Sequence, residues 1–315
     1  MVPPAVRLPN FFLAGVAKAG TTALHAYLAQ HPQVFMSPIK EPWFFGVADL
    51  LSPPYGDDVR AALERDRVWL QDYLEGPQAP DTWRYVMDWD DYVRLFRDAR
   101  DEAVIGEAST GYFWLPSAAR AIRAKLPEAR FAFMLRDPAE RLFTLHGLNL
   151  WREPHVSFRA WFRATLEAQH LWPSIVGAGR YATHLERYVE TWPREQLRIY
   201  LYEDYRADPR ALLRDLFAFL RVQPDYPIDL SRRHNETLVP RFPRLHALRR
   251  RIFRDASAPR WMPAGARRAL RRLYRGPRRG MAMDPADRRL VIDYYRGEIL
   301  RTADLLGRDL SAWLS

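Results

Sequence analysis

The 315-residue chain has no cysteine, which excludes disulfides, thiolate nucleophiles and cysteine-ligated metals. It also has no stretch near the roughly 18 consecutive apolar residues of a membrane-spanning helix. The opening MVPPAVRLPN lacks both a long apolar core and a small-residue cleavage site, so no secretion signal is expected and the default address is the cytoplasm. Internal repeats, low-complexity tracts and a convincing linker are missing too, which favours one domain over residues 1–315. Lysine is scarce: Lys18, Lys40 and Lys125 stand against forty-five arginines. Where so arginine-biased a chain uses lysine, a compact point charge is a reason to look.

What is present is a soluble globular composition, with 48% apolar and 27% charged residues. The net charge of +10 is unevenly placed. Residues 244–279 hold thirteen arginines and one acidic residue, Asp255, so this segment carries +12 and the rest of the chain is near −2. Such a patch suits nucleic acid, an anionic membrane or an acidic substrate, and equally a solvated helical face.

Short apolar runs alternate with longer helical patterns, the signature of a parallel sheet built from βαβ units. FFLAGV (11–16), AVIGEA (103–108), RFAFML (130–135) and LRIYLY (197–202) read as strands buried on both faces. Helices are expected at 23–30, 116–126, 138–151, 157–170, 180–192, 208–221 and 284–307, with an insertion at 49–90 carrying a short helix. The fold class is therefore α/β.

The first strand runs into GVAKAGTT, residues 15–22. Gly15 and Gly20 keep the glycine spacing of a phosphate-binding loop, but Thr21 takes the position where a nucleotide triphosphatase has lysine, and Lys18 lies inside the turn. A strand that turns through glycines into a helix aims backbone N–H groups at one spot, and the helix dipole favours negative charge there. Thr21 and Thr22 add hydroxyl donors, and Lys18 can reach a bridging or leaving oxygen of the bound group. A second stretch, FMLRDPAERLFTLHGLNLW, leaves the strand at 130–135 and enters a helix, with Asp137 as cap and Pro138 in the first turn. Arg136 then sits at a strand's carboxyl end, the edge where ligands collect in open α/β sheets. With Thr144 it is suited to a second anionic group, or alternatively to an ion pair with Asp137 or Glu140.

The pair KAGTTAL and RDPAERLFT resembles the two donor-binding signatures of sulfotransferases that use 3′-phosphoadenosine-5′-phosphosulfate (PAPS). HPQVFMSPIKEPWFF (31–45) is similar to the segment after the first loop in bacterial and heparan-type sulfotransferases, and GEASTGYF (106–113), residues 179–222 and the C-terminal helix are similar to later blocks. The resemblance implies a three-layer α/β/α fold like that of the P-loop NTPases, with a central parallel sheet. It implies that Lys18, Ala19, Gly20, Thr21 and Thr22 hold the 5′-phosphosulfate, and that Arg136 and Thr144 hold the 3′-phosphate. Thr144 stands where serine is commoner, and Ala108 where many members have lysine. RHNETLVPR (233–241) falls where the family has a loop that closes over the donor, with Arg241 its candidate ligand.

In-line sulfuryl transfer builds charge on the leaving phosphate, so positioning and electrostatics dominate, as in phosphoryl transfer. Lys18 is the expected stabiliser of that oxygen. Glu41 aligns with the catalytic glutamate of the heparan-type enzymes and is the candidate general base, with His146 the rival. No metal is expected to be required, and 3′-phosphoadenosine-5′-phosphate (PAP) is the expected product. The acceptor is a hydroxyl or amine, carbohydrate or glycolipid by the likeness of KEPWFF, with small natural products, phenols and lipids as alternatives. Segments 49–90 and 150–178 are the candidates for acceptor specificity. Two other classes compete. A P-loop kinase would place lysine after Gly20 and an aspartate at a strand end, where this chain has Glu107 and Arg136. A nucleic-acid binder would use 244–279, which lacks the interleaved aromatics of a stacking platform. That segment is expected instead to border the acceptor site or an anionic membrane, with no specific nucleic acid.

Overall fold

The structure of the protein, a computed structural model, describes residues 7–52, 61, 85–151, 153, 155–168, 175–231, 238–240, 275–277 and 282–315. Arg241, most of the 49–90 insertion and nearly all of the arginine-rich 244–279 segment lie outside the described residues.

Five strands form a parallel sheet in the order β2-β3-β1-β4-β5, made of Phe11–Gly15 (β1), Val34–Met36 (β2), Val104–Ala108 (β3), Arg130–Leu135 (β4) and Leu197–Leu201 (β5). The four expected strands form within a residue of the apolar runs, and β1, β3 and β4 are buried almost throughout. Rings along them stack, Phe12 on Phe131 at 5.2 Å and Phe131 on Phe133 at 5.7 Å, so the sheet itself is the centre of the core. The edge strand β2 was not expected, because three residues are too few to show a period.

From β1 the chain steps past one position to β2, and from β3 it crosses β1 to reach β4. Right-handed crossovers that run in opposite directions put their helices on opposite faces, which gives three layers. The first crossover carries α1 (Thr21–Leu28). Next come α2 (Val47–Leu51) and α3 (Trp89–Arg94), at the two ends of the expected insertion. The crossover from β3 to β4 carries α4 (Gly111–Trp114) and α5 (Ala118–Lys125), the latter in place of one helix over 116–126. Then follow α6 (Pro138–Asn149), α7 (Phe158–Glu167), α8 (Tyr181–Thr191), α9 (Tyr202–Ala207), α10 (Pro209–Leu220) and α11 (Pro285–Leu306). Helices α6, α10 and α11 share one start: an aspartate N-cap, Asp137, Asp208 or Asp284, accepts from first-turn amides, and proline follows at the first helical position.

The reversal of strand order makes β1 the switch point, and the crevice beyond the carboxyl ends of β1, β3 and β4 is where such sheets bind ligands. Register sets those ends side by side, with Leu13 opposite both Ala108 and Ala132, and Gly15 opposite Met134. A small antiparallel pair, β6 (Leu238–Pro240) with β7 (Arg275–Pro277), lies with β6 beside α6. No helix among the described residues is long and apolar enough to cross a membrane.

Candidate active site

The loop after β1 is shaped by its glycines. Gly15 has φ 113°, and a Cβ there would lie 2.2 Å from the Met134 carbonyl oxygen, so only glycine lets β1 turn against β4. Lys18 follows with φ 73°, and Gly20 with φ 92° is the N-cap of α1, where no side chain caps the helix. Thr21 is buried and Thr22 half-buried in the first turn. Burial, then the charges of Lys40 and Arg136, hold the Lys18 ammonium below its ordinary pKa. Three cations from three loops therefore lie close enough to influence one another, the condition under which an anion is drawn in.

Arg136 leaves the end of β4 toward that loop. Its Nη1 donates to the Lys18 carbonyl at 2.9 Å, its Nη2 lies 3.6 Å from Glu140 Oε2, and its guanidinium sits 4.5 Å over the Tyr202 ring. Of the two alternatives for this arginine, the ion pair is present only loosely, with half-buried Glu140, and its stronger contact is to the loop carbonyl. Asp137 is occupied elsewhere, capping α6 and pairing with Arg288 at 2.7 Å. Thr144 is buried two turns on, its hydroxyl donating to the Glu140 carbonyl at 2.8 Å. A cavity of about 370 Å³ opens beside Arg136, floored by Tyr202 and Trp313. Its lining mixes the carboxylates of Asp137, Glu140, Glu203, Asp204 and Asp309 with the arginines Arg136, Arg206 and Arg308, so it is more acidic than the loop side.

Glu41 lies on the segment between β2 and α2, with its amide on the Ala108 carbonyl at 2.8 Å. It is buried, and its partner is Lys40, not a surface arginine. Oε1 accepts from Lys40 Nζ at 2.5 Å; Oε2 accepts from Trp43 Nε1 and from the Thr110 amide, both at 2.7 Å. The Thr110 hydroxyl lies 3.2 and 3.1 Å from the two oxygens. Glu41 (φ 63°) and Trp43 (φ 55°) are in the left-handed region, as is Lys18. Among the described residues the one other non-glycine with positive φ is Arg221, which closes α10, so backbone strain gathers at this site. Two of the chain's three lysines meet here; the third, Lys125, lies over the Trp89 ring.

Sequence reading missed the role of Glu107, which it saw only as an acidic residue at a strand end. The carboxyl is fully buried, accepting from Tyr92 (2.9 Å), Tyr112 (2.8 Å) and Ser109 (2.6 Å), while Ser109 Oγ accepts from the Trp43 amide at 3.4 Å. Burial pushes its pKa up to about 7; the three hydroxyls oppose the rise, and Glu41 adds to it. Below its ordinary value of 4.5 the group is protonated folded or unfolded, whereas by pH 7 the folded protein must ionise it against burial. Its contribution to stability is therefore full below pH 4.5 and is lost as pH rises through 7. The window corresponds to about 3 kcal/mol. Urea unfolding of the parent and of Glu107→Gln across this range should show the parent losing stability relative to the variant as pH rises; a constant difference would mean that Glu107 titrates normally.

His146 is buried on α6 against Phe158 and Trp161, with Nε2 2.9 Å from the Val156 carbonyl. A carbonyl only accepts, so Nε2 carries the hydrogen and that nitrogen is committed to structure. Arg136 is tied to the Lys18 carbonyl and Lys40 to Glu41, and the charge of Lys40 reaches Lys18, whereas His146 has a different set of partners.

A family model described as the sulfotransferase family matches residues 9–226, which include Lys18, Glu41, Arg136 and Thr144. Human bifunctional heparan sulfate N-deacetylase/N-sulfotransferase 2 is 26% identical over 322 residues, which cover 98% of this chain and 31% of that protein. Human carbohydrate sulfotransferase 15 is 26% identical over 355 residues, 97% of this chain and 54% of its own length. The chain thus spans about a third to a half of these two relatives. The crystal structure of a sulfotransferase from Alicyclobacillus acidocaldarius matches with a TM-score of 0.68 at 28% identity, covering 98% of this chain and all of the other.

Proposed function

Because the chain belongs to the sulfotransferase family, we propose that it transfers the sulfuryl group of PAPS to a hydroxyl or amine of a carbohydrate or glycolipid acceptor. The 15–22 loop holds the 5′-phosphosulfate through its backbone, Lys18, Thr21 and Thr22. Arg136 and Thr144 take the 3′-phosphate, and Arg241, the residue after β6 in the sequence, is the candidate to close over it. The acceptor oxygen or nitrogen attacks sulfur, the bond from sulfur to the phosphate oxygen breaks, and its electron pair stays on that oxygen beside Lys18. The acceptor's proton passes to Glu41. The observation that carries this reading is the contact of Arg136 with the Lys18 carbonyl, which ties the two expected anion sites into one unit at the switch point.

A carbohydrate acceptor is supported by the two named relatives. The rings beside Glu41 are core: Trp43 packs edge-on against Tyr85 at 5.6 Å and Trp114 at 5.8 Å, and Trp43 and Trp114 are buried. Phenols, lipids and small natural products are the acceptors to include as competitors in a screen.

The test is calorimetric titration with PAP, and separately with ATP and magnesium, of the parent and of Arg136→Ala. Micromolar binding of PAP with no binding of ATP, weakened on the order of tenfold to a hundredfold in the variant, is the expected result. Preference for ATP, or equal PAP affinity in the two proteins, would overturn the assignment.

A further inference from the structure

Glu41 raises a chemical difficulty that its neighbours resolve. A carboxylate offers about four lone-pair positions, and four donors already address this one: Lys40, Trp43, the Thr110 amide and the Thr110 hydroxyl. Held in this way it has no oxygen ready for an acceptor's proton. The donors differ in freedom. On Oε2 they are a backbone amide and an indole two residues away, both fixed by the fold. On Oε1 the short contact comes from a lysine, whose ammonium rides on a flexible four-carbon stem. The left-handed backbone at Glu41 fixes the carboxylate as well, so of the pair it is Lys40 that can move.

There is also something to move toward. The segment carrying Lys40 is held at the end of β3, where the Glu41 amide bonds the Ala108 carbonyl at 2.8 Å, and Ala108 is paired with Leu13 on β1, the strand that runs into the Lys18 loop. The charge of Lys40 also lowers the proton affinity of Lys18, so an anionic group bound there draws on Lys40 too. Exchanging one buried anionic partner for another never leaves the ammonium unpaired, which is the costly condition for a buried charge.

We propose that Lys40 changes partner during the reaction: paired with Glu41 in the structure, it moves onto the sulfuryl oxygens of the bound donor and frees Glu41 Oε1 to accept the acceptor's proton. The inference rests on the reading of Glu41 as the base. It makes the base available only when the group to be transferred is in place. The atoms balance as in simple in-line transfer, with the acceptor's proton ending on Glu41 and the broken bond's electron pair on the phosphate of PAP. Lys40 itself gains and loses only hydrogen bonds.

The experiment compares binding of PAPS and PAP, which differ by the sulfuryl group alone. In Lys40→Met the affinity for PAPS should fall several-fold more than that for PAP, because the lost contact is to the sulfuryl oxygens whereas the 5′-phosphate that the two ligands share feels Lys40 only at longer range. Because Lys40→Met leaves Glu41 buried without its cation, the neutral double variant Lys40→Met/Glu41→Gln is measured beside it, and the PAPS-specific loss should persist there. Equal weakening of both ligands, or no change in either, would overturn the proposal. The base reading fails by a separate observation, parental kcat in Glu41→Gln, which would remove the second half of the proposal whatever the binding data show.

Discussion

Replacement of Lys18 by alanine is expected to lower kcat by roughly 10²- to 10³-fold, the usual effect of losing one preorganised charge at a reacting oxygen, with PAP affinity reduced on the order of tenfold at most. The separation of the two effects follows from where charge develops. The phosphate oxygen that bridges to sulfur gains its negative charge only as the bond breaks, so a cation aimed there favours the transition state over bound donor or product. The loop is built to hold such a cation still. Lys18 has a left-handed backbone, its carbonyl is gripped by Arg136, and burial together with Lys40 and Arg136 disfavours its charge until an anion arrives. Arginine should not restore the rate, because its planar fork replaces a point charge in a turn of fixed size. Steady-state kinetics with calorimetry decide the matter. Unchanged kcat with a raised KM would make Lys18 a general binding group and would refute the assignment.

Those parts of the fold that rest on local chemistry could be read from residues alone. The runs at 11–16, 103–108, 130–135 and 197–202 became strands because apolar residues dominate each of them, with Glu107 and Arg198 the charged exceptions in their interiors. Asp137-Pro138 marked a helix start, and so placed Arg136 at a strand end. What could not be read depends on residues distant in sequence. The Thr110 amide reaches Glu41 across 69 positions, and Arg288 reaches Asp137 across 151. Sequence showed Lys40 beside Glu41 without showing that both are buried, which is what turns a surface pair into a coupled one. In the same way Glu107 was only an acidic residue until Tyr92 and Tyr112 closed around it. His146 illustrates the converse: a histidine near a site motif drew a catalytic reading, and its ring lies among Phe158 and Trp161 with Nε2 on a backbone carbonyl.

Glu41→Gln is expected to lower kcat by about 10²- to 10⁴-fold for an alcohol acceptor, the range of general-base catalysis. Its interpretation needs Lys40. A glutamine can still accept from Trp43 and Thr110 through its oxygen, but its NH₂ would then face the Lys40 ammonium, donor against donor, and leave a buried cation unpaired. Some lost activity would therefore reflect instability, and the melting temperature and PAP affinity of the variant must be measured beside its rate. The nature of the acceptor separates the two contributions. Proton removal matters most for an alcohol and less for a phenol, which is already far more acidic, so the deficit should shrink as the acceptor's pKa falls. A structural defect would depress both acceptors alike. A deficit that ignores acceptor acidity would exclude Glu41 as the base and leave it as the residue that binds Lys40, Trp43 and Thr110 into one buried cluster.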